Sequence, residues 1–188
     1  MPFIPDIYPP TLVGVMQRRP ELAAPLQEYT EILMRGPSSL SAGDRELIAA
    51  YVSGVNACQY CHGIHAVTAA QLGIDEAVFE AGIADPDRLP VAGTLKPILR
   101  YVAKLTETPS RMVQADADAV FAAGWNEEAF ETAVAICALF NFYNRVVEGH
   151  GIETDRTYWR EAGQRLSDPD RGYAALGRRM RELAEGGG

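Results

Sequence analysis

A chain of 188 residues with 47% apolar side chains has the material for one sizeable core and is short for two full domains. Its formal net charge of −8, with an isoelectric point near 4.9, argues against nucleic acid as a partner, because phosphate binding is driven by clustered Lys and Arg. No stretch approaches the run of about 18 apolar residues needed to cross a membrane.

Pro2, Pro5, Pro9 and Pro10 predict an extended arm over residues 1–12, lying on the body of the fold or on a neighbour. Met1 to Pro10 has neither the basic start nor the apolar core of a signal peptide, and three cysteines are too few for a secreted disulfide framework. Both point to a reducing, cytoplasmic setting. Leu47, Ile48, Tyr51, Val52 and Val55 then mark the apolar stripe of a helix starting near Ser41, where Ser41 and Asp44 resemble a cap. Gly54 and Asn56 allow a break, with Asn56 suited to cap a second helix that carries Cys58, Cys61, His65, Thr68 and Leu72 and stops at Gly73. Further helices are expected at about Glu76–Ala81, Thr94–Leu105, Val113–Ala122 and Glu127–Glu148, the last ending at His150-Gly151. A C-terminal helical extension over 155–188 holds two more, Asp155–Leu166 and Gly172–Ala184, before a terminal Gly186-Gly187-Gly188 that should fray. Arg156, Arg160, Arg165, Arg171, Arg178, Arg179 and Arg181 are interleaved with acids there and read as a solvated helix surface. Without alternation or hairpin turns, the fold class is all-α.

The chemistry concentrates in residues 41–72. A CxxC pair at a helix start, Cys58 and Cys61, lies where first-turn amides and the helix dipole favour a thiolate below the free-thiol pKa of about 8.5. Two intervening residues let one sulfur attack and the other resolve. His65, four residues after Cys61 and seven after Cys58, falls on the same helical face and can take and return a proton. Glu46, on the preceding helix, can orient His65 if the two helices pack together.

Glu46, eleven residues, Cys58-x-x-Cys61, three residues and His65 resemble the signature of the alkylhydroperoxidase D (AhpD)-like, carboxymuconolactone decarboxylase-related proteins. The likeness continues more loosely through Phe140-Asn141-Phe142-Tyr143-Asn144-Arg145, similar to the peroxidase-related subgroup. The resemblance implies one AhpD-like helical bundle, assembled as a trimer or hexamer, with a dimer the alternative. It implies hydroperoxide reduction without metal or other cofactor, Cys61 attacking and Cys58 resolving, with Glu46 and His65 relaying protons through a bound water. An external thiol, from a protein or a lipoyl-type dithiol, would close the cycle. Known members carry histidine immediately before the second cysteine; here Tyr60 stands there, a poor base at neutral pH, which leaves the relay to His65. Tyr60 and His62 are auxiliary candidates.

Competing readings are weaker. A zinc site lacks ligands with suitable spacing to the pair, and lactone decarboxylation has no known use for it. Cys58-Gln59-Tyr60-Cys61-His62 matches the CxxCH haem-attachment motif, but that chemistry normally takes place outside the cytoplasm. A redox partner or sensor exchanging disulfides with another protein needs the same sulfurs and is the main alternative. Cys137 reads as an inert core thiol, and Phe140, Phe142 and Tyr143 as core and subunit interface.

Overall fold

In a computed structural model describing residues 1–80 and 85–186, the regular elements are all helical. They run α1 Leu12–Gln17, α2 Pro20–Arg35, α3 Ala42–Val55, α4 Gln59–Gln71, α5 Ala77–Glu80, α6 Leu95–Glu107, α7 Gln114–Ala122, α8 Glu127–Gly149, α9 Arg156–Ser167 and α10 Tyr173–Gly186. No strand occurs among the described residues, as the sequence predicts. Part of the helix expected at Glu76–Ala81, and Gly187-Gly188 of the expected frayed end, lie outside the described residues; Gly186 closes α10.

α3 forms the centre. Ser41 and Asp44 make the expected capping box: Asp44 N donates to Ser41 Oγ at 3.0 Å and Ser41 N to Asp44 Oδ2 at 3.1 Å. Every residue from Arg45 to Ser53 is buried, so this helix is enclosed on all sides by α2, α4, α6 and α8. Enclosure obliges its two buried charged residues, Arg45 and Glu46, to find partners. Arg45 Nη1 donates to Leu33 O and Gly36 O, each at 2.9 Å, closing the C-terminal end of α2.

α1 and α2 are both absent from the helices expected from sequence. α2 contains two prolines: Pro20 sits in the first turn, where its missing N–H costs nothing. Pro25 forfeits a hydrogen bond inside the helix, offset by burial of Ala23, Ala24, Gln27, Thr30 and Met34 against the body.

The turn between α3 and α4 differs from expectation in one respect. Asn56 ends α3, Ala57 adopts a left-handed φ of 56°, and Cys58 itself becomes the N-cap of α4. The sharp reversal at Ala57 moves the cap two residues on and frees Asn56, whose Nδ2 donates to Asn144 Oδ1 at 2.8 Å and Asn141 Oδ1 at 3.1 Å on α8. At the other end of α4, Gly73 at φ 98° lets Ile74 N reach Ala69 O and Gly73 N reach Ala70 O, the stop its position predicts.

α9 crosses α4 where both helices carry glycine. A Cβ on Gly63 would lie 2.3 Å from the Trp159 ring, and one on Gly163 would lie 2.6 Å from Val67. α10 packs along α2, its Ala174 N donating to Glu31 Oε2 at 3.1 Å. The C-terminal helices α9 and α10 thus pack directly on α4 and α2. The N-terminal arm lies on the body: Phe3 N donates to His150 O at 2.9 Å, Ile7 is buried, and Leu12 N donates to the Tyr60 hydroxyl at 3.2 Å.

Candidate active site

Glu46 is fully buried on α3, and both of its oxygens are engaged. Oε2 lies 2.6 Å from His65 Nδ1 on α4; Oε1 accepts from Arg35 Nη2 at 2.6 Å and from the Tyr173 hydroxyl at 3.0 Å. Burial alone would push this carboxyl up, but His65 and the Arg35 guanidinium outweigh it and hold the group below its ordinary 4.5. With an ionised acceptor at Nδ1, the neutral His65 ring carries its proton there, leaving Nε2 as the basic nitrogen. Phe140 meets the ring edge-on at 4.5 Å between centroids, and Arg35 stacks on the Tyr173 ring at 5.0 Å. The ring is therefore fixed from two sides.

Cys58 and Cys61 are both buried free thiols, their sulfurs in hydrogen-bonding contact. The helix start does not by itself make Cys61 acidic. Its bond to Cys58, then burial, push its thiol well above the usual range, while a hydrogen bond from Asn144 pulls the other way. Two adjacent sulfurs cannot both carry charge in a dry site, so the resting pair keeps the Cys61 proton unless a base removes it.

Cys61 and His65 line one cavity of about 60 Å³, together with Tyr60, Ile64, Phe140, Tyr143, Tyr158 and Leu12. That volume holds a few waters or the peroxide end of a small molecule. Tyr60 is buried on its wall, its hydroxyl 3.2 Å from the Tyr158 hydroxyl. His62 points elsewhere: its Nδ1 lies 3.0 Å from Ala50 O, and it lines a separate surface groove with Phe79 and Trp159. The four residues of the motif thus come together, Tyr60 joins them, and His62 does not. Cys137 is buried beside Thr106 and Asn141, on a part of α8 that does not line this cavity.

Residues 20–85 match the profile of the Carboxymuconolactone decarboxylase family, a span that includes Arg35, Glu46, Cys58, Cys61 and His65. Over that span the chain is similar to the carboxymuconolactone decarboxylase family. Two solved structures share its fold. An uncharacterised peroxidase-related protein from Silicibacter sp. TM1040 is 24% identical, with a TM-score of 0.73 over 81% of this chain and 79% of its own. A peroxidase-related protein from Ralstonia eutropha JMP134, described as an alkylhydroperoxidase AhpD core, is 21% identical, with a TM-score of 0.72 over 80% and 78%. No curated protein matches the sequence significantly.

The site residues that sequence reasoning missed are Arg35, Tyr173 and Asn144. Arg35 sits on the unexpected α2 and Tyr173 on the C-terminal helices, both remote in sequence from the motif. Asn144 did carry a signal, in the Phe140–Arg145 segment, but its bond to Cys61 is a matter of packing. Among the described residues no three His, Cys, Asp or Glu side chains gather as a metal site.

Proposed function

We propose that this AhpD-like protein is a thiol-dependent hydroperoxide reductase. The observation that carries the reading is the shared cavity of Cys61 and His65, with His65 fixed by a buried, ionised Glu46. His65 Nε2 removes the Cys61 proton, and the thiolate attacks the terminal oxygen of the hydroperoxide. The S–O bond forms as the O–O bond breaks; the leaving alkoxide takes the proton from His65 and departs as alcohol. Cys58 then attacks the Cys61 sulfenic acid, releasing water and forming the disulfide. Two thiols supply the two electrons, and an external dithiol restores them. In this scheme Glu46 holds and orients His65 rather than carrying the proton, since both of its oxygens are already bonded.

The alternative of a redox partner for protein disulfides fits less well. Cys58 is 0% and Cys61 3% exposed, and a cavity of about 60 Å³ admits a small molecule more readily than a protein surface. The same constraint favours a slender lipoyl-type reductant. Stopped-flow thiol oxidation by cumene hydroperoxide is the test: the wild type should lose two thiols per peroxide much faster than free cysteine, and Cys61→Ser should lose this fast phase. Full turnover in Cys61→Ser, or a fast reaction only with protein disulfides, overturns the reading.

A further inference from the structure

Gln27 on α2 lines the cavity of Cys61 and His65, is 2% exposed, and has an amide oxygen with no partner among the described protein atoms. Its amide nitrogen is anchored: Nε2 donates to the Tyr143 hydroxyl at 2.9 Å and contacts Met16 Sδ at 3.6 Å. That anchoring leaves Oε1 as a fixed acceptor without a donor, a costly arrangement in a buried site unless a ligand or water completes it. The cavity also presents the complement, since Arg165 Nε is a buried donor without a partner on the same lining. The walls around both are apolar, with Leu12, Val13 and Leu176 among them.

We propose that Gln27 Oε1 accepts the hydrogen bond of the hydroperoxide O–H and so positions the terminal oxygen for Cys61. A hydroperoxide has one O–H donor and acceptor oxygens beside it, which match the unpaired acceptor and donor of this wall; a dialkyl peroxide lacks the donor. The O–H hydrogen stays on the transferred oxygen as it becomes the sulfenic acid, so the bond to Gln27 survives the step. Gln27 acts on the substrate and leaves the ionisation of Cys61 alone.

This rests on the hydroperoxide reductase reading, and the experiment separates the two. Gln27→Met keeps the shape of the side chain and leaves the Tyr143 hydroxyl its bond to Thr30 at 2.7 Å. It is expected to slow Cys61 oxidation by cumene hydroperoxide about tenfold, while alkylation of Cys61 by iodoacetamide keeps its rate and pH profile. Gln27→Glu, which retains an acceptor, should recover most of the rate. Equal losses in oxidation and alkylation would mean that Gln27 merely supports the cavity, and an unchanged oxidation rate would mean that water serves its oxygen; either overturns the inference while the reductase stands. Wild-type thiols inert to every hydroperoxide overturn both.

Discussion

Glu46 Oε2 approaches His65 Nδ1 to 2.6 Å, while Oε1 of the same carboxylate is shared between Arg35 and Tyr173. One buried charge therefore ties together four helices, α2, α3, α4 and α10. Glu46→Gln removes the charge and leaves the Arg35 guanidinium, 17% exposed, without its counter-ion. Breaking such a buried pair costs roughly 3–5 kcal/mol, with the lower end expected because Arg35 retains some solvent. Urea denaturation measures this loss. The rate of thiol oxidation should fall by roughly a hundredfold, since His65 loses the carboxylate that orients it.

The same carboxylate makes stability depend on pH. Because Glu46 is held below its ordinary 4.5 in the fold, its contribution is fully present above that pH and is lost as pH falls through the folded value. The unfolding free energy of the wild type should drop below pH 4.5 more steeply than that of Glu46→Gln. Parallel acid limbs would show that the linked group lies elsewhere.

Tyr173→Phe isolates the part played by α10. It removes the hydrogen bond to the charged Glu46 acceptor, worth roughly 1.5–3 kcal/mol, together with a longer 3.5 Å contact to His65 Nδ1, and leaves the stacking on Arg35 and the Arg35–Glu46 pair in place. Stability measured by urea denaturation should fall by that order, and peroxide reduction should slow only several-fold. A loss as large as that of Glu46→Gln would mean that Tyr173 contributes more than a clamp.

The two motif helices, the cap of α3 and the stop of α4 were legible because they depend on local spacing, whereas the N-cap of α4 falls at Cys58 instead of Asn56 and Glu46 reaches His65 only because the two helices pack together. Ser41-x-x-Asp44 encodes its own capping box, and a four-residue step puts Cys61 and His65 on one face whatever surrounds them. Arg35 and Tyr173 were not legible because their role comes from tertiary packing across 11 and 127 residues of sequence. The helix that carries Arg35 was itself not expected from sequence. Cys61 shows a different failure. The helix start favours a thiolate, but local electrostatics lose to a second sulfur in contact and to burial, neither of which spacing reveals.

That environment makes a kinetic prediction. The Cys61 thiol lies well above its ordinary 9.0, so the rate of peroxide reduction should still be rising with pH at pH 9. Cys58→Ser removes the largest cause of the upward shift, moving the profile to lower pH while allowing one oxidation without recycling. Asn144→Leu removes the bond that pulls the thiol down and should move the profile higher. Rates measured from pH 6 to about 10 with a single hydroperoxide distinguish these shifts, and a profile unmoved by both substitutions would contradict the arrangement.

The crossing of α4 and α9 offers a test of how geometry far from the sulfurs supports the site. A Cβ at residue 63 would sit 2.3 Å from the Trp159 ring, whose indole nitrogen donates to Thr154 Oγ1 at 3.1 Å. Gly63→Ala must therefore push the helices apart, at a cost of roughly 1–3 kcal/mol. α9 carries Tyr158 and Arg165 to the cavity, so the separation should also slow peroxide reduction. Gly149→Ala, where an added Cβ meets nothing within 4 Å, should leave both properties close to wild type. Thermal melts and oxidation rates on the two variants provide the comparison. Equal behaviour would mean that α9 yields without consequence and that the close crossing does not position the cavity wall.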